Sequence, residues 1–124
     1  MRYISILEGQ LPTEPPPPAL MEGIGQLGEE ATRAGVLLDT AGLLPSAAGA
    51  RITLRAGDMG IVDGPFTESK ELISYSLWEV ASKEEAVEWT RRFMDLHRER
   101  WPGFEAEAKV LKIMGPEDFG PTQA

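Results

Sequence analysis

The 124-residue chain has no cysteine and one histidine, His97. Without cysteine there is no disulfide and no thiolate nucleophile. A lone imidazole cannot assemble the set of ligands that zinc ordinarily takes, so no metal site is expected. Positive charge is scarce as well: 12 Lys and Arg stand against 20 Asp and Glu, a net charge of -8. Nucleic-acid binding depends on cations that release counterions from phosphates, and anionic membranes recruit polybasic segments, so neither partner is expected. No apolar run approaches the roughly 20 residues that span a bilayer, and Met1 to Glu8 meets a charge too soon to form the apolar core of a secretion signal. A soluble, cytoplasmic protein is the expectation. Also missing are Gly-x-Gly-x-x-Gly, a Walker loop and the Gly-x-Ser-x-Gly elbow, which leaves nucleotide cofactors and serine-hydrolase chemistry without support; no cofactor is expected.

With 42% hydrophobic residues, and with its 10 prolines and 13 glycines placed mostly between apolar runs, the composition is that of one globular domain. Such a chain buries about two-thirds of the surface that its unfolded form exposes. The acidity is uneven: residues 14–39 carry five acids against Arg33 alone, whereas residues 81–101 balance five against five. The first helix is therefore the acidic, solvated face.

Residues 2–8 are rich in β-formers and read as a strand. Pro15 to Pro18 force an extended lead-in that cannot lie inside a helix. Leu20, Ile24, Leu27, Ala31 and Ala34 then recur at helical spacing as one apolar stripe, with Gly35 as the C-cap. Gly23, Gly25 and Gly28 each cost about 1 kcal/mol against alanine in that helix, and close approach to a sheet is the expected compensation. Val36 to Leu38 opens a second strand, followed by Ala41 to Leu44. Arg51 to Arg55 alternates as a half-buried strand does, turns at Gly57-Asp58 and returns as Met59 to Asp63. Leu72 to Val80 is the longest strand, with Ser74 and Ser76 on a face that is covered yet partly polar. Ser82 and Glu85 make a capping box for a helix that runs to about Arg100, where Pro102-Gly103 stops it. A last strand covers about Glu105 to Met114. The folded domain is thus residues 1–114, and residues 115–124 form a polar tail, flexible or draped on a partner. The order β-α-β, hairpin, β-α-β is a ferredoxin-like α+β arrangement with helices on one sheet face, so the other face must still be covered.

Asp63-Gly64-Pro65-Phe66, continuing through Thr67 to Glu71, resembles the DGPF signature of the YCII-related proteins. Trp89 to His97, running into Trp101-Pro102-Gly103-Phe104-Glu105, is similar to one branch of that family, and the resemblance covers Met1 to Met114. It implies an antiparallel sheet that pairs with a second copy as a dimeric α+β barrel, hence a C2 homodimer enclosing a cavity. It also implies small-molecule chemistry for some members, and for others an accessory or sensing part beside extracytoplasmic-function sigma factors. Better-understood members use a histidine close to the first helix together with an aspartate. Pro17 to Met21 contains no histidine, so that pair does not carry over.

Projected at 100° per residue, Ala86, Thr90, Phe93 and His97 fall within about 60° of one another, and His97 faces inward. It is either a general acid/base at the rim of a pocket, with Asp63 as its partner, or a structural histidine that bonds a backbone carbonyl near the helix C-terminus. Both readings stay open, as they do for the turn. Asp63 can bond backbone amides there with no further role. Glu68, Lys70 and Glu71 are either charges beside the barrel mouth, with Lys70 holding a substrate carboxylate or enolate, or a surface ion-pair strip. Ser74, Ser76 and Trp101 complete the candidate ligand-binding set. Trp101 either walls a cavity or plugs the helix end. A small molecule and a second copy of the chain are the expected partners.

Overall fold

The computed structural model describes residues 1–66 and 70–120. Strand β1 (Arg2–Gly9) alternates strictly: Tyr3, Ser5 and Leu7 are buried, while Ile4, Ile6 and Glu8 are only partly so. It is flanked on both sides by antiparallel neighbours, β5 (Glu71–Glu79) and β6 (Ala106–Lys112), and β2 (Leu37–Gly42) pairs with the far edge of β5. The sheet order is β2-β5-β1-β6, and β3 (Ala50–Arg55) and β4 (Asp58–Asp63) form a separate two-stranded ribbon. Two helices and these two antiparallel sheets make an α+β protein. The ribbon turns at Ala56-Gly57, not Gly57-Asp58, because both turn residues take positive φ, 49° and 85°; a two-residue loop of that kind matches the right-handed twist of the flanking strands.

Helix α1 (Pro18–Arg33) begins with Pro18 in its first turn after an extended Pro17, where the missing amide hydrogen costs nothing. At its other end Gly35 takes φ 74°, and Gly35 and Val36 donate to the carbonyls of Thr32 and Ala31 at 3.0 Å. That pair of bonds closes the helix as its C-terminal glycine foretells. Helix α2 (Lys83–Arg100) starts where Ser82 Oγ accepts from the Glu85 amide at 3.2 Å, and the Glu85 carboxylate accepts from Ala81 N at 3.0 Å.

Both helices cover the Tyr3 face of the sheet. Ala31 of α1 and Ala86 of α2 meet Tyr3, Trp78 and Val80 in the core, with Trp89 packed on it. Two serines of this face have partners: Trp78 Nε1 donates to Ser5 Oγ at 3.0 Å, and the Ser76 and Thr40 hydroxyls lie 2.9 Å apart. A covered yet partly polar face is thus observed. On the opposite face Ile4, Ile6, Tyr75 and Leu77 are half-buried by one another, and Leu111 is exposed. Among the described residues no helix lies over them.

The glycines of α1 correct one expectation. A Cβ at Gly23 would meet Leu96 Cδ2 at 2.9 Å and Arg100 Nη1 at 2.6 Å, whereas nothing lies within 4 Å of one at Gly25 or Gly28. The close approach is therefore between the two helices, not between helix and sheet, and only Gly23 needs it. Bridges reinforce the contact: Arg92 grips the Glu30 carboxylate with both guanidinium nitrogens at 2.6 and 2.8 Å, and Arg100 donates to the Ala19 carbonyl at 2.7 Å. The start of the tail is also ordered, since Lys112 Nζ binds both oxygens of Asp118, at 2.7 and 2.9 Å, beside the short turn Pro116–Asp118.

Candidate functional site

His97 lies in the last turn and a half of α2, only 6% exposed. Its ring sits edge-on to Phe93, with centroids 4.6 Å apart, and 5.3 Å from Phe104. Nδ1 is 2.9 Å from the Phe93 carbonyl oxygen one turn back. A carbonyl can only accept, so Nδ1 carries the hydrogen and Nε2 holds a free lone pair. Desolvation pushes the imidazole pKa below its ordinary value, and the bond to Phe93 only partly opposes this, so the ring is neutral at pH 7. Among the described residues no fully buried side-chain nitrogen or oxygen lacks a hydrogen-bond partner. Nε2 makes no such bond, so it keeps contact with solvent.

His97 also lines a cleft of about 500 Å³, together with Met94, Asp95, Arg98, Trp101 and the segment Gly103 to Ala106. Trp101 and Phe104 stack at 4.5 Å with their planes 6° apart and form an aromatic wall. Gly103, at φ 85°, makes the turn that folds Phe104 back onto Trp101. At the rim, Asp95 is tied to Arg98 at 2.8 Å and to Arg91, and Glu105 is the other carboxylate among the lining residues.

Lys70 occupies a different place. Its Nζ binds Glu107 at 3.1 Å on the uncovered side of the sheet, where Lys109 binds Glu8 at 2.9 Å. Glu8 and Glu107 are cross-strand partners, a like-charge pair that the two lysines compensate. Glu8, Lys70 and Glu107 border a second cleft of about 490 Å³, also lined by Leu11, Pro12 and Phe104 to Ala106. The strand entry from Phe104 to Ala106 is the shared wall, with His97 on the helix side and Lys70 on the open side. Both ends of the Lys70–Glu107 pair are about half exposed, so the bridge itself contributes little.

Asp63 ends β4 in the separate ribbon, and among the described residues its carboxylate has no hydrogen-bond or ion-pair partner. It borders neither cleft. The neighbouring motif residues have packing roles instead. A Cβ at Gly64 would lie 1.7 Å from the Ser46 carbonyl oxygen, so only glycine fits. Phe66 N donates to Ser46 Oγ at 3.0 Å, the Ser46 amide donates to Glu71 at 2.7 Å, and the Arg51 guanidinium lies 4.4 Å over the Phe66 ring. Glu68 lies outside the described residues. Ser74 and Ser76 are on the helix side of β5, where Ser76 is spent on Thr40. The structure thus joins His97 with Trp101 and sets Lys70, Asp63 and the serines apart from them. Phe104 is the lining residue that the sequence reading did not single out; the one available signal was its position after a helix-stopping Pro-Gly pair. Among the described residues no group of three or more His, Cys, Asp or Glu is placed to hold a metal ion, and no helix is long and apolar enough to cross a membrane.

No family profile matches the chain. An uncharacterized protein of Rhizobium meliloti (strain 1021) is 34% identical over 73 residues, which cover 58% of this chain and 59% of that protein. The chain therefore spans under two-thirds of the relative it matches.

Proposed function

We propose that the chain is a YCII-related, DGPF-like protein that works as a homodimer and binds a small polar or aromatic molecule in the cleft beside His97. There Nε2 accepts a proton from the ligand, in hydrolytic or eliminative chemistry that needs no cofactor. The order β2-β5-β1-β6, with a strand-helix unit at each end of the chain, supports a ferredoxin-like half of a dimeric α+β barrel. The uncovered sheet face, with Ile4, Ile6, Leu77 and Leu111 beside paired charges, supports a second copy as its roof. The single observation that carries the functional reading is the state of His97: neutral, held in one tautomer by the Phe93 carbonyl, on a ring that lines an aromatic-walled cleft. A base whose proton affinity is lowered by burial is unprotonated at neutral pH and ready to act.

A non-catalytic role, as a sensing or accessory module of the kind associated with extracytoplasmic-function sigma factors, is favoured by one other observation. No carboxylate orients the imidazole, because Nδ1 is spent on its own helix. Both readings are tested by NMR on the ring protons of the only histidine, titrated from pH 4 to 8 with and without fractions of a metabolite pool. The expected result is a midpoint below about 6.5 and a ligand-dependent shift that Trp101→Ala abolishes. With the ligand in hand, loss of turnover in His97→Gln with binding retained marks an enzyme, and turnover absent from the wild type marks a binding module. A ring that responds to no fraction eliminates the enzyme reading and leaves the accessory one, in which His97 is structural.

A further inference from the structure

Cross-strand pairing sorts the ribbon into two faces. Ile52 stands opposite Ile61, and Leu54 opposite Met59; Arg51, Thr53 and Arg55 stand opposite Val62, Gly60 and Asp58 on the other side. Arg51 lies over Phe66, so its face is turned toward the body of the protein and the four large apolar side chains point away from it. They are 65%, 70%, 66% and 66% exposed, respectively. A two-stranded hairpin is marginal in water without something packed on it, and four contiguous uncovered apolar residues are not an ordinary surface.

We infer that the β3–β4 ribbon is a dimerisation arm, which lays this apolar face on a second copy of the same chain; the inference rests on the dimer reading above. Charge permits a second copy. The chain carries -8, so two copies repel unless the acids on the surfaces that meet are paired with cations. On the open sheet face they are: Glu8 binds Lys109, Glu107 binds Lys70 and Glu79 binds Arg2. On the ribbon no ionisable group stands among the four apolar residues, and Asp63, opposite Ala50, lies at the end of their face. Area selects the arrangement. Two-thirds of four aliphatic side chains amounts to roughly 300 Å², short of the ~800 Å² per partner of a stable interface. The arm is therefore one part of a larger contact, and the uncovered sheet face bearing Ile4, Ile6, Leu77 and Leu111 supplies the rest. One interface then shields both apolar surfaces that the protomer cannot cover itself.

The test is sedimentation equilibrium of the full-length protein, comparing wild type with Ile61→Lys and Ile52→Thr on the arm, Ile6→Lys on the sheet face and Arg55→Gln on the opposite side of the ribbon. The wild type is expected to be dimeric at micromolar concentration, with Kd raised at least about tenfold by each arm variant and unchanged by Arg55→Gln. Amide exchange in residues 50–63 of the wild type should slow as concentration rises, a readout that does not depend on any variant folding. A dimer split by Ile6→Lys but indifferent to both arm variants, with concentration-independent exchange in the ribbon, overturns the arm and leaves the dimer standing. A wild type that is monomeric up to about 100 μM overturns both.

Discussion

Three glycines in α1 give the same helix-propensity prediction and opposite structural ones. Replacing a mid-helix glycine by alanine removes backbone freedom from the unfolded chain and is favourable by about 1 kcal/mol wherever the new methyl has room. At Gly25 and Gly28 it has room, since nothing lies within 4 Å of the added Cβ. Each of those variants should therefore gain close to the full amount, or about 3 to 4 °C in Tm for a domain of this size. At Gly23 the methyl overlaps Leu96 Cδ2 at 2.9 Å and Arg100 Nη1 at 2.6 Å. The guanidinium can swing into solvent, at the loss of its bond to the Ala19 carbonyl. The leucine is only partly buried and its methyl can give, but it loses packing against α1 as it does so. Overpacking of this kind costs about 1 to 3 kcal/mol, which outweighs the propensity gain and leaves Gly23→Ala between neutral and about 2 kcal/mol destabilised. Urea unfolding followed by far-UV circular dichroism, at one fixed protein concentration, measures all three. Adding Arg100→Ala to Gly23→Ala should recover only the part of the loss due to the guanidinium. A Gly23→Ala protein stabilised as much as Gly25→Ala would refute the close helix-helix contact on which this reasoning stands.

Three further outcomes follow from the core, the buried imidazole and the helix cap. Ser5→Ala leaves the Trp78 indole hydrogen without its acceptor in the core and should cost about 1 to 3 kcal/mol, read as a lower urea midpoint, whereas Ser5→Thr should recover part of it. The unfolded chain takes up the His97 proton near pH 6.5 and the native chain only at lower pH, so stability should fall as pH drops from about 6.5 and level off above it. His97→Gln should flatten that slope between pH 5 and 7, and an unchanged slope would show that burial is not what depresses the ring. Ser82→Ala removes the acceptor for the Glu85 amide and should cost about 1 kcal/mol, detectable in the thermal midpoint; no loss would mean that the Glu85 side chain, reaching back to Ala81, caps the helix alone.

Local signals in this chain were strong, and local structure follows them. The proline run ends where helix α1 begins, Gly35 takes the left-handed conformation that closes it, Ser82 caps α2, residues 2–8 form a strand, and Ser76 and Trp78 fall on the covered face of β5. Each of these is set by interactions within a few residues, for which the sequence carries the whole cause. The inward face of His97 was legible for the same reason, because a helical projection needs only the helix.

What lies across the chain was not legible. Whether Gly23 meets a sheet or a helix depends on Leu96 and Arg100, more than 70 residues away. That Gly64 is required by the carbonyl of Ser46, and that Asp63 ends a ribbon away from His97, likewise follow from long-range packing and from no local pattern. The amino-acid sequence by itself determined the elements, most of their faces and that a single imidazole would serve any site. Only the tertiary structure decided which side of the sheet each candidate occupies, because a strand's two faces are one residue apart in sequence and opposite in space.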